Sequence, residues 1–329
     1  MRYVSMLADG PKASVLGLGC SAVLGRSGQR ESLAALGAAW EAGITFYDTA
    51  RSYGYGESER LLGEFFAGER RPQAVICTKF GLLPASRSWK QRVKPLAQAA
   101  VRAFPALRAV AQRQAASQIV AGEFSVELLR TSLETSLRAL RTDYVDMLLL
   151  HAAPISVLAQ EDLLDALQHL VEAGKVRMAG ISGEQAVIAA SFSQRPRGLT
   201  TAQFAINAAD REFAAETEQA AREGWFLVAN HPFGGPVGVI QCRRRIAALR
   251  ENDALPIALR EKLTDDAQLM PEVVLNTILN GMGVHVVIPA MMRPEHLAGN
   301  VRAIEQCRFT QEELVLLRRA MGSETSANG

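Results

Sequence analysis

Short apolar runs alternate with amphipathic stretches along the whole chain. Val15–Cys20, Ile44–Asp48, Ala74–Phe80, Asp146–His151, Val176–Ser182, Thr201–Ala205, Phe226–Asn230 and Val284–Pro289 read as strands. Each is short and bounded by Gly, Pro or polar residues, the pattern of parallel strands buried on both faces. Helical patterns lie between them, at Glu31–Ala42, Ser125–Leu140 and Asp162–Ala173. In the second, Leu128, Leu129, Leu133, Leu137 and Leu140 recur near the helical period, and Ser125 stands where an N-cap belongs. Gly43, Gly174 and Gly224 follow three helical patterns at the place of a C-terminal stop.

Eight strands, each followed by a helix, close most simply into a (β/α)8 TIM barrel. A doubly wound open sheet would want G-x-G-x-x-G after its first strand. The turn here runs from Gly17 through Gly19 to Ala22 and lacks the third glycine. A barrel of 329 residues is read as one domain, 1–329, with two excursions: an insertion at about 82–124 and a specificity loop at about 235–268. The insertion carries Arg87, Lys90, Arg92, Lys94, Arg102, Arg108 and Arg113, with no acid before Glu123. It leaves the strand of Lys79 and contains Trp89 and Phe104, so it is expected to form a mobile flap over the barrel mouth. A solvated basic excursion is the other reading.

Composition changes this picture little. Of the residues, 48% are hydrophobic and 21% charged, and the net charge is +2, which favours neither nucleic acid nor a membrane surface. Cys20, Cys77, Cys242 and Cys307 are scattered singly, so no metal site and a reduced, cytoplasmic setting are expected. No run approaches the roughly 20 apolar residues of a membrane helix. Oligomeric state is left open.

Polar residues at the C-terminal ends of barrel strands carry the candidate chemistry. Asp48 ends the second strand, Lys79 lies near the end of the third, and His151 ends the fourth. Tyr53 follows in a glycine-rich turn that folds back over the mouth. Singly, each has a structural explanation: Asp48 as a helix cap or partner of Arg51, Lys79 reaching water, His151 bonded to backbone, Tyr53 as loop packing. Together they suit proton donation to an oxygen that becomes an alkoxide. An ammonium beside the phenol is expected to lower its pKa, a carboxylate to keep the lysine charged, and the imidazole to orient a carbonyl.

At these residues the sequence resembles the aldo-keto reductase family. Phe46–Gly63 matches its signature, Cys77–Gly81 the segment of the lysine, and Ser132–His151 the segment ending in the histidine. Gly174–Arg177, Gly180–Ser182, Gln203–Asn207 and Ile288–Asn300 continue the match. The resemblance implies a nicotinamide cofactor, a small-molecule carbonyl substrate, and Asp48, Tyr53, Lys79 and His151 as catalytic residues. It places Ser182 and Gln203 on the nicotinamide carboxamide. His231, Pro232, Phe233 and Gly234, with Ile288, Pro289, Ala290, Met292 and His296, would hold phosphates and adenosine, and Asn300 would meet adenine. Three positions depart from the family pattern. Gly183 replaces an asparagine, Asn230 replaces a tyrosine that stacks under the nicotinamide, and Ala290, Met291 and Met292 stand where a cation grips the 2′-phosphate. NADP(H) is favoured on the family's habit, with NAD(H) open. A nucleotide-binding regulatory subunit and a redox-assisted lyase or epimerase on a sugar-like substrate are the competing functions.

Overall fold

The computed structural model describes residues 1–7, 10–24, 28–84, 119–120 and 123–322. A hairpin of β1 (Tyr3–Ser5) and β2 (Lys12–Ser14) precedes the barrel strand β3 (Gly17–Gly19). The remaining barrel strands are β4 (Phe46–Asp48), β5 (Val75–Phe80), β8 (Val145–His151), β9 (Val176–Gly183), β10 (Leu199–Ala205), β11 (Phe226–Asn230) and β12 (Val286–Ile288). All pair in parallel in that order. A bridge between Leu16 and Val287, with the Val287 amide donating to the Val15 carbonyl at 2.9 Å, closes the ring. The result is a (β/α)8 barrel whose eight strands are those read from the sequence, shifted at their ends by two residues at most.

The two-residue period of the strands sorts side chains into two cores. Phe46, Val75, Cys77, Met147, Leu149, Met178, Phe226, Val228, Val286 and Ile288 fill the lumen. Alternate residues, such as Tyr47, Ile76, Leu148 and Leu150, pack outward against the helices. Ala13 belongs to the lumen cluster, and Val4 and Met6 pack on it. Ser14 and Thr45 exchange hydrogen bonds, so the hairpin floors the N-terminal end of the barrel. That floor was not foreseen from the sequence. Close packing is enforced at Gly180, where an added Cβ would lie 2.0 Å from the Thr201 carbonyl oxygen on the next strand.

The capping signals fall where expected. Ser125 Oγ accepts from the Leu128 amide at 3.2 Å at the start of the Val126–Leu140 helix. Gly43, Gly174 and Gly224 adopt φ of 79°, 72° and 95°, the left-handed stop that favours glycine. The basic insertion is entered and left through a two-residue antiparallel ladder, β6 (Leu83–Pro84) with β7 (Ile119–Val120). Residues 85–118 and 121–122, and with them the flap expected there, lie outside the described residues. The 235–268 segment departs from expectation: it is built mainly from helices, Gly235–Leu249 and Ile257–Glu261, rather than an open loop. Its start, with Gly234, Gly235, Pro236 and Gly238, reads as loop in sequence because glycine disfavours helix interiors.

Near the floor, Asp146 is buried between two guanidiniums. It meets Arg71 at 3.0 Å and Arg177 at 3.1 Å, and accepts from the Ile76 amide at 2.9 Å. Both guanidiniums lie over the Tyr144 ring, at 4.1 and 4.4 Å from its centre.

Candidate active site

Strand ends and register gather the four predicted residues at one mouth. Asp48, Lys79 and His151 occupy inward positions of β4, β5 and β8, adjacent strands in the ring. Tyr53 begins a 3-10 turn, Tyr53–Gly56, that returns it over the opening. Lys79 Nζ donates to Asp48 Oδ1 at 2.6 Å, to the Thr49 carbonyl at 3.0 Å and to the Tyr53 hydroxyl at 3.3 Å. The rings of Tyr53 and His151 meet edge to face, centres 5.9 Å apart. Arg51, one of the partners considered for Asp48, pairs instead with the fully buried Glu59 at 3.4 Å.

The electrostatics differ from expectation at one point. Burial pushes the Tyr53 phenol up, and the nearby Lys79 ammonium only partly offsets this while Asp48 adds to the rise. The phenol therefore sits above its usual value rather than below it, because removing a phenolate from water costs more than one ammonium returns. For Lys79, burial works against the charge, but Asp48 and its other neighbours outweigh it, so the ammonium is held. Burial, then Lys79, lowers the His151 imidazole to about 3. His151 is thus neutral at neutral pH, and its Nδ1 is buried without a hydrogen-bond partner among the described residues.

This shift has a consequence for stability. An unfolded imidazole takes up a proton near 6.5, whereas the folded His151 does so only near 3. Protons bind the unfolded state first, so stability present above the unfolded value is lost as the pH falls from 6.5 towards 3. The expected loss from this group is at most about 2 kcal/mol between roughly pH 7 and pH 5. Urea unfolding of wild type and His151→Gln at both pH values measures it, and equal slopes for the two proteins would refute it.

Sequence reading missed two supports. The Thr49 carbonyl is a third acceptor for Lys79, and Glu59, accepting from Thr78 Oγ1 at 2.7 Å, ties the helix after the Tyr53 turn to β5. A carboxylate in the first helical turn, at Glu59 just ahead of Leu61 and Leu62, was the available signal.

Comparison with known proteins bears on this arrangement directly. The chain matches the Aldo/keto reductase family over residues 15–321. It belongs to that family. The aldo-keto reductase YhdN of Bacillus subtilis is 30% identical over 187 residues, covering 55% of this chain and 47% of that protein. Norsolorinic acid reductase B of Aspergillus parasiticus is 29% identical over 206 residues, covering 61% of this chain and 47% of that protein. The matched region thus spans about half the length of these relatives. The same fold is seen in a holo-form aldo-keto reductase of Bacillus halodurans, with a TM-score of 0.69 at 21% identity, covering 98% of this chain and 96% of that one. A thermostable aldo-keto reductase bound to the inhibitor epalrestat gives a TM-score of 0.67 at 24% identity, covering 97% and 100%.

Aldo-keto reductases use nicotinamide cofactors, and the residues present fit one. Ser182 and Gln203, hydrogen-bonded at 2.9 Å, set a hydroxyl and an amide side by side at the mouth, a pair complementary to a carboxamide. The Gly235–Leu249 helix begins without a side-chain cap and without an acid in its first turn, conditions that suit a phosphate. His231, Gly234 and Gly235 all have positive φ, of 50°, 64° and 67°, in the turn that leads to it. Pro232 is buried, and Phe233 lines a cavity of about 190 Å³ with Asn207 and Arg245. Ile288 and Pro289 are buried at the end of β12, while Ala290, Arg293 and His296 are exposed and Met292 is half-buried. Asn300 is buried, its amide donating to Met291 Sδ at 3.6 Å. A larger cavity, of about 530 Å³, lies between Phe124–Val126 and Ala159–Leu163, and none of the four mouth residues lines it.

Proposed function

We propose that this chain reduces an aldehyde or ketone to an alcohol with a nicotinamide cofactor, Tyr53 delivering the proton. The observation that carries this reading is the buried Asp48–Lys79–Tyr53 array, with the ammonium 2.6 Å from a carboxylate and 3.3 Å from the phenol. The cofactor, when bound, supplies a hydride to the carbonyl carbon. Neutral His151 holds the carbonyl oxygen through an imidazole N–H and does not compete as an acid. Tyr53 stays protonated until that oxygen gains alkoxide character, a stronger base than phenolate, and then gives up its O–H proton. Lys79 stabilises the phenolate left behind, and solvent restores its proton.

Spectrophotometric assay of NADPH and NADH oxidation against a panel of aldehydes and ketones tests the proposal. Tight cofactor binding with no turnover of any of them would overturn it and favour a regulatory nucleotide-binding role.

The cofactor's 2′-phosphate meets little charge here. Arg293 and His296 are the basic side chains that follow β12 in the next eight residues, and both are exposed. Met292→Arg is therefore expected to tighten NADPH relative to NADH by about 1–2 kcal/mol, the worth of a charge-assisted hydrogen bond at a partly exposed site. Nicotinamide fluorescence titration reads the difference. Equal changes for both cofactors would show that this position does not face the adenosine ribose.

A further inference from the structure

A buried chain of hydrogen bonds crosses the lumen from the expected cofactor seat to the phenol. Ser182 Oγ donates to Gln203 Oε1 at 2.9 Å, and Gln203 Nε2 donates to Asp48 Oδ1 at 2.7 Å. That same carboxylate oxygen accepts from Lys79 Nζ, which in turn reaches Tyr53. Ser182, Gln203, Asp48 and Lys79 are 6%, 1%, 5% and 1% exposed, so water does not substitute for any link. Gln203 and Ser182 are register partners on neighbouring strands, whereas β4, which carries Asp48, is separated from β10 by three strands. Gln203 therefore reaches across the barrel.

The orientation of the amide is fixed chemically. With Oε1 turned towards Asp48, two bare acceptors would face each other at hydrogen-bond distance, so Nε2 must point to the carboxylate. One end of Gln203 thus faces the seat complementary to a carboxamide, and the other holds the carboxylate that carries the lysine. Asp48 raises the phenol and Lys79 lowers it, so the balance at Tyr53 depends on how closely Asp48 Oδ1 is kept on Lys79. A second donor on Oδ1 spreads the carboxylate's charge and pins that oxygen in place.

We propose that Gln203 is a positioning residue that couples cofactor binding to the proton donor, through its amide N–H on Asp48. The proposal rests on the reading of Tyr53 as the acid. Its rival is a buried glutamine that only satisfies its own hydrogen bonds, or only contacts the cofactor.

The discriminating variant is Gln203→Glu, which keeps an acceptor towards Ser182 and replaces the donor towards Asp48 with a carboxylate. Two readouts apply to the full chain. The first is the ionisation of Tyr53, followed through its Cζ resonance in carbon-13-labelled protein and assigned by comparison with Tyr53→Phe. It is expected to move up by about one pH unit, since a second negative charge disfavours the phenolate. The second is kcat at saturating NADPH, expected to fall about tenfold or more through misplacement of the acid, and by more than the cofactor affinity falls. As the pH is lowered the new carboxyl takes a proton shared with Asp48, an O–H donor is restored, and kcat recovers towards wild type; a purely structural lesion has no such recovery.

If Gln203→Glu does not fold, the near-isosteric Gln203→Met removes the amide donor from Asp48 Oδ1 and should shift the Tyr53 ionisation in the same direction by less. An unshifted Tyr53 ionisation in every folded variant, or a loss confined to cofactor affinity with kcat and its pH profile unchanged, would overturn the proposal. A wild-type protein that reduces no carbonyl, yet shows the Tyr53 shift in Gln203→Glu, would sustain the coupling and refute the proposed function instead.

Discussion

Tyr53→Phe is expected to lower carbonyl reduction by about 10²–10⁴-fold or more while leaving cofactor affinity within a few-fold of wild type. The phenyl ring keeps the edge-to-face contact with His151 and leaves the 2.6 Å Lys79–Asp48 pair intact. What disappears is the proton that the developing alkoxide must receive. Neither neighbour replaces it: His151 is neutral, and Lys79 is held as an ammonium by Asp48. Steady-state turnover at saturating cofactor, with thermal unfolding as a control, measures the effect. Near-wild-type turnover on any good substrate would remove Tyr53 from the role.

The largest effect on stability is expected at Asp146, far from the mouth. Burial pushes its carboxyl up, and Arg71, the Ile76 amide and Arg177 only partly bring it back. The ion cluster is therefore a poor source of net stability, as buried pairs commonly are. Removing one partner is another matter. Asp146→Ala leaves the buried Arg71 guanidinium with only neutral acceptors, Thr142 Oγ1 and the Ala74 and Tyr144 carbonyls, and withdraws the acceptor of the Ile76 amide, at an expected cost of about 3–5 kcal/mol. Urea unfolding followed by circular dichroism measures it, and a loss below about 1 kcal/mol would show that those neutral acceptors suffice for the charge.

Much of this architecture was legible in the sequence, and the reasons are local. Strands such as Asp146–His151 and Phe226–Asn230 are short apolar runs between breakers, and the two-residue period then decides which side chains enter the lumen. That is how Asp48, Lys79 and His151 could be placed at one mouth before any coordinates. The Ser125 cap and the glycine stops depend on neighbours within one helical turn. The floor hairpin was not legible: three-residue strands such as Tyr3–Ser5 and Lys12–Ser14 carry too few alternations to stand out. The direction of the Tyr53 shift was not legible either, because it turns on burial, which a list of neighbouring charges does not contain. Nor was the Gln203–Asp48 bond, which joins residues 155 positions apart across the lumen and exists only once the ring has closed.

The packed lumen and the hairpin beneath it leave the mouth as the barrel's one approach among the described residues. Whatever lies deepest must enter first and leave last, since a later arrival stands in its path. A carboxamide held on the Ser182–Gln203 pair, which shares that mouth with Tyr53, would have to be seated before a carbonyl covers it, so the proposed reaction would take cofactor before carbonyl and release alcohol before spent cofactor. A carbonyl arriving early would occupy the mouth of an unready enzyme, so under that order excess substrate would act as its own inhibitor.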